Sequence, residues 1–122
     1  MQIARRQLWL LLLVVMGVGG GGAYALYQNH QQAIILSQDT KFAQAGASLF
    51  EAECETCHGV GGDGAGGAPV LNNGAVLKTY PTESALAAFI QANMPASDPG
   101  SLTPTDAQDL AYYILSLNRA LP

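Results

Sequence analysis

The stretch Cys54-Glu55-Thr56-Cys57-His58 is the most informative part of the sequence. Two cysteines are separated by two residues, and a histidine follows the second cysteine directly. One helical turn spans the two vinyl groups of a porphyrin, so each thiol can form a thioether to one vinyl carbon. The adjacent imidazole then lies where it can ligate the iron. The pattern predicts one covalently attached haem c, with His58 as its proximal ligand.

Three other interpretations explain less of this motif. A thioredoxin-type dithiol needs a βαβ context, and the flanking segments show no convincing strand pattern. A structural zinc site needs four ligands, whereas only Cys54, Cys57 and His58 lie close together outside the N-terminal region. A disulfide would leave the histidine unexplained. The chain of 122 residues holds no other cysteine, which excludes a disulfide-rich scaffold.

Residues 8–27 carry no charge over twenty positions, which is enough for a helix of roughly 30 Å. They predict a transmembrane anchor. Arg5 and Arg6 place residues 1–7 in the cytoplasm and the rest of the chain on the outer, periplasmic side of the inner membrane. The alternative is a cleaved signal peptide, because residues 23–25 form a small-x-small cleavage pattern.

Small residues spaced four apart in this segment predict close contact with helices of other membrane subunits. The pairs are Gly17 with Gly21 and Gly19 with Ala23. Residues 28–38 form a predicted juxtamembrane linker that is poor in proline, glycine and serine, so a helix is expected to continue out of the membrane. His30 lies there and is interpreted as a juxtamembrane polar residue rather than a metal ligand.

Residues 39–122 form the predicted haem domain, and three helical patterns make it all-α. The first helix runs over 41–54 with Asp39 or Thr40 as its cap, the second over 83–93 after Thr82, and the third over 104–118. A capping box starts the third. The residues predicted to face inward are Phe42, Ala45, Gly46, Leu49 and Phe50, then Leu86, Phe89 and Ile90, then Ala107, Leu110, Ala111, Ile114 and Leu117.

From about Gly46 to Asn118 the sequence resembles the class I cytochromes c. Gly46 and Phe50 match the glycine and the aromatic residue that precede the motif in that family. The resemblance implies that Pro69 accepts a hydrogen bond from the proximal imidazole. It also implies that the first and last helices cross closely, with Tyr112 or Tyr113 against Gly46 and Phe50. The implied fold is that of a class I cytochrome c around one haem.

The same resemblance implies that Met94, in Asn93-Met94-Pro95, is the distal iron ligand. Met94 is the only methionine of the haem domain, although a lone methionine often only fills a core. Leu71 is expected to line the haem. Tyr80 is a candidate for a hydrogen bond to a haem propionate, with simple packing as the alternative.

All nine acidic residues lie from Asp39 onward, against Lys41, Lys78 and Arg119. This balance argues against a nucleic-acid partner. A methionine opposite histidine favours one-electron transfer between redox proteins over catalysis. The expected setting is a subunit of a respiratory or photosynthetic complex, such as alternative complex III or a haem–copper oxidase. A free-standing anchored shuttle is the alternative, and a haem peroxidase or gas sensor is a further one.

Overall fold

One long helix, α1, runs from Gln2 to Glu53. The computed structural model describes residues 2–118, with side chains described from 20 to 34 and from 36 to 118. The predicted helix start near Lys41, capped by Asp39 or Thr40, is wrong because α1 passes through these positions without interruption. Residues 28–38 contain neither proline nor glycine, so nothing in the backbone chemistry ends the helix there.

The chain divides into two compact units between Leu36 and Ser37. In the first unit, Tyr24, Leu26 and Tyr27 are 66%, 73% and 60% exposed. Within the part of the chain that the structure describes, no helix has the length and apolarity needed to cross a membrane. Positions 8–19 of the predicted anchor lie outside the residues whose side chains are described, as do Arg5, Arg6 and Arg119.

The second unit contains the end of α1 and the remaining helices. These are α2 (Glu55–His58), a 3₁₀ turn (Val60–Gly62), α3 (Ala75–Thr79), α4 (Glu83–Asn93) and α5 (Pro104–Leu117). No strand occurs between residues 2 and 118, in agreement with the all-α prediction. The short helix α3 was not expected, since it lies in the glycine-rich segment after the motif.

Side-chain caps fix where α4 and α5 begin. Thr82 Oγ1 accepts from the backbone N–H of Ala85 at 3.2 Å. At α5, Thr103 Oγ1 accepts from Asp106 N at 3.1 Å, and the Asp106 carboxylate accepts from Thr103 N at 3.1 Å. Both predicted starts are therefore confirmed, and the second is a complete capping box.

The core joins one face each of α1, α4 and α5. Its buried members are Phe50, Leu86, Ile90, Ala107, Leu110, Ala111 and Ile114. One inward position on α1 was predicted wrongly, since Ala45 is exposed whereas Ala43 is buried.

The crossing of α1 and α5 has no room for a side chain at Gly46. A Cβ atom added there would collide with the backbone carbonyl of Asp109 and lie 2.9 Å from Tyr113 Cβ. One helical turn later, the rings of Phe50 and Tyr113 pack with centroids 5.2 Å apart. The predicted close approach of the first and last helices is confirmed.

Asp39 is buried on α1, with 6% of its surface exposed, and its Oδ2 atom has no hydrogen-bond partner. Burial, and then the Asp39 carboxylate, raise the pKa of Glu83 above its usual value. Burial, both carboxylates and a hydrogen bond to Asp39 raise the pKa of Tyr112. Two acids and a phenol thus lie together where α1, α4 and α5 meet.

Substituting Gly46 by alanine should lower the free energy of unfolding by about 1–3 kcal/mol, because the added methyl group overpacks the helix crossing. Urea unfolding followed by circular dichroism measures this. Gly22→Ala is the matched control, since a Cβ at position 22 meets nothing within 4 Å and Gly22 belongs to neither pair of small residues. Equal stability of Gly46→Ala and wild type would contradict the close crossing.

Replacing Asp39 by asparagine should stabilise the protein at pH 7. The raised pKa of Glu83 means that the folded state binds protons more tightly than the unfolded state, so stability falls as pH rises through that pKa. Asp39→Asn removes a charge that contributes to the raised pKa of Glu83, so the loss of stability with rising pH becomes smaller. Denaturant unfolding measured from about pH 4, near the ordinary pKa of a carboxyl group, up to about pH 7 should show a flatter profile for Asp39→Asn than for the wild type. A steeper profile would refute the coupling.

Candidate haem site

The motif lies on a helical turn that follows α1 directly. Cys54 N donates to Phe50 O at 2.8 Å, and His58 N donates to Cys54 O at 2.9 Å. The thiols of Cys54 and Cys57 therefore lie three positions apart, about one turn of helical backbone from each other. Cys54 is half-buried against the core and Cys57 is exposed.

Both thiols are free. Burial, and then the neighbouring Glu53 and Cys57, raise the pKa of Cys54 to about 11, so its thiol is protonated at neutral pH. In the described part of the chain, no three His, Cys, Asp or Glu side chains form a group that could hold a metal ion.

The His58 ring is oriented by a hydrogen bond. Its Nδ1–H donates to the carbonyl oxygen of Pro69 at 2.9 Å. With the proton on Nδ1, the other ring nitrogen, Nε2, keeps its lone pair and can ligate a metal. The ring also lies near Phe50, with centroids 6.5 Å apart.

The glycine-rich loop, residues 59–74, folds back on the motif through its backbone. Ala68 N donates to Cys57 O at 3.0 Å, and Gly64 N donates to His58 O at 2.6 Å. Gly66 approaches so closely that a Cβ atom there would collide with the carbonyls of Thr56 and Cys57. The absence of a side chain is what lets this part of the loop lie against the motif.

The other predicted site residues border the core. Leu71, Tyr80, Met94 and Cys54 are partly buried and pack against the same cluster. Met94 follows the last residue of α4, with extended backbone and its N–H bonded to Ile90 O. The Tyr80 ring packs on Phe89 with centroids 4.6 Å apart, which is the packing alternative considered for it. Its contact with a propionate stays a prediction.

These residues fit a haem c. Two free thiols one turn apart can form thioethers, and the His58 tautomer leaves a nitrogen free for iron. The partly buried residues that pack against the core contribute apolar side chains, and Met94 contributes the only thioether of residues 37–122. The assignment of Cys54, Cys57, His58, Pro69, Leu71, Tyr80 and Met94 as haem-contacting residues remains a prediction based on chemistry and placement.

One residue of this region was not identified from the sequence as part of the site. The side chain of Asn118 bonds to the backbone of Leu71 and Gly74, at the far end of the glycine-rich loop. An asparagine at the end of a helix is a common cap, so its position alone gave no sign of contacts 44 and 47 residues away.

An all-helical unit that carries C-x-x-C-H after its first helix defines a c-type cytochrome domain, a class that binds its haem covalently. The sequence model of a family described as cytochrome c oxidase, cbb3-type, subunit III matches residues 41–114. The chain belongs to this family. The match includes the motif, Pro69 and Met94. Neither the curated proteins nor the solved structures gave a match.

Proposed function

We propose that the chain is a membrane-anchored cytochrome c with a single haem, which relays electrons one at a time within a respiratory complex. The observation that carries the proposal is the Cys54–His58 turn, in which a hydrogen bond to Pro69 holds the imidazole in the tautomer suited to iron. Haem supplies reversible one-electron chemistry at its iron.

A single haem follows from the number of thiols. The sequence has two cysteines, and both belong to the one motif. Cys54 and Cys57 would hold the porphyrin covalently, while Leu71 would lie against it. Attachment through two bonds suits a unit of this size, because a small domain buries only a modest core of its own.

His58 and Met94 are the proposed iron ligands. Met94 is supported by its place after the last turn of α4, where it packs against the same core as Cys54. With haem bound, a Met94 thioether together with the His58 imidazole would raise the reduction potential of the iron and would leave oxygen or peroxide no place to bind. Electron transfer is therefore favoured over peroxidase or gas-sensing activity.

The proposed location is the cytoplasmic membrane, with residues 8–27 as a single span and the haem domain on the periplasmic side. The proposal rests on the uncharged run, on Arg5 and Arg6 before it, and on the glycine pairs that suit close helix contacts. The family description names an oxidase subunit, which favours a haem–copper oxidase over alternative complex III or a photosynthetic complex as host.

The excess of acidic residues in the haem domain limits which redox partners can dock by charge. From Asp39 onward there are nine acidic and three basic residues, so a redox partner that docks by charge has to be basic near its own centre. A partner held by the membrane needs no such steering.

Co-purification in mild detergent distinguishes a complex subunit from a free-standing anchored shuttle, since a shuttle is isolated without other subunits.

Replacing Met94 by leucine tests the ligand pair at nearly constant side-chain volume. Loss of the thioether should abolish the near-infrared sulfur-to-iron absorption of the ferric protein. The reduction potential should fall by tenths of a volt, within the range of about 0.8 V that axial ligands span. Optical spectroscopy during a redox titration measures both.

Leu102→Ala is the matched control, since Leu102 packs against the same core but has no sulfur. It should keep the absorption and a potential near that of the wild type. A Met94→Leu protein with an unchanged spectrum and potential would show that Met94 only fills the core, and it would reopen the enzymatic alternatives.

A further inference from the structure

The segment that follows Pro69 is bonded to the end of α5 by one side chain. Asn118 Nδ2 donates to Leu71 O at 2.7 Å, and Asn118 Oδ1 accepts from Gly74 N at 2.7 Å. The same Nδ2 donates to Ile114 O at 2.7 Å within α5. Both ends of the amide are therefore in use, and the amide has a single satisfactory orientation.

The Asn118 contacts lie close to the carbonyl that orients the imidazole. Pro69 stands between Ala68, which is bonded to Cys57 O at 3.0 Å, and Leu71, whose N–H donates to Gly62 O at 2.7 Å. Proline has no N–H and a fixed φ, so the position of its carbonyl is set by the residues on either side. Asn118 holds the side that contains Leu71.

Apolar packing supports the same junction. A Cβ atom at Gly62 would lie 3.0 Å from Leu71 Cβ and 3.6 Å from Leu117 Cδ1, so the end of α5 and the loop approach each other at that glycine. The bonds of Asn118 to Leu71 and Gly74 are partly buried there. Restricted access of water makes such bonds harder to replace.

We propose that Asn118 is a positioning residue for the proximal ligand. By holding residues 71–74 against α5, it keeps the Pro69 carbonyl on the Nδ1–H of His58. A hydrogen bond at Nδ1 fixes the ring orientation and raises the basicity of Nε2, the atom that would bind iron. The inference rests on the proposed function, because it assumes that His58 is an iron ligand.

The test is the exchange of the His58 Nδ1 proton with solvent in the full-length, haem-loaded ferrous protein, followed by NMR with labelled histidine. The chain has only two histidines, so His30→Gln assigns the signals. In Asn118→Ala the exchange should be faster by at least about tenfold, since two bonds that hold the loop are lost. An unchanged rate would overturn the proposal.

Thr103→Ala is the matched control, because it removes the capping box at the opposite end of the same helix. It should destabilise α5 while leaving the exchange rate of the proton near that of the wild type. If both variants accelerate exchange equally at equal loss of stability, Asn118 acts only through the stability of α5, and the proposal is overturned.

Asn118→Asp gives a second measurement if the alanine variant does not fold. It keeps an acceptor for Gly74 N–H but loses the donor to Leu71 O, so an exchange rate faster than that of the wild type is expected. An exchange rate equal to that of the wild type would count against the proposal. A wild-type protein without covalent haem would instead contradict the proposed function, which keeps the two failures distinct.

Discussion

The approach of α1 and α5 at Gly46 is the constraint on which the haem unit depends. With no side chain at that position, the backbone of α5 at Asp109 lies directly against α1. Phe50 then meets Tyr113 one turn further along, and Cys54 reaches the margin of the core after another turn. The motif therefore begins at a point that helix packing has already fixed relative to α5.

The proximal side of the site is built on this frame by hydrogen bonds rather than by further core. Backbone groups of the glycine-rich loop bond to the carbonyls of Cys57 and His58, and Pro69 accepts from the imidazole. Asn118 connects the far end of the loop to α5. The orientation of one imidazole thus depends on both helices of the crossing, since α1 leads into the motif and α5 holds the loop.

The parts of the fold that the sequence predicted are those with local causes. Thr82 and Thr103 mark helix starts through caps that involve only the next few residues, and the apolar periodicity of α5 identified four of its five buried residues, missing Leu115. The C-x-x-C-H motif was recognised because its spacing has a local chemical cause, since one helical turn spans the two vinyl groups of a porphyrin. The cap expected near Asp39 failed because a polar residue alone does not end a helix that lacks a breaker.

What the sequence could not predict depends on contacts between distant residues. The bonds of Asn118 to Leu71 and Gly74 join positions far apart, and no periodic pattern encodes them. On α1 the buried alanine is Ala43 rather than Ala45, which the predicted inward set did not include.

The most direct test of covalent haem attachment is the intact mass of the mature protein under denaturing conditions. It should exceed that of the polypeptide by one haem, and a mass equal to that of the polypeptide would contradict covalent attachment at Cys54 and Cys57.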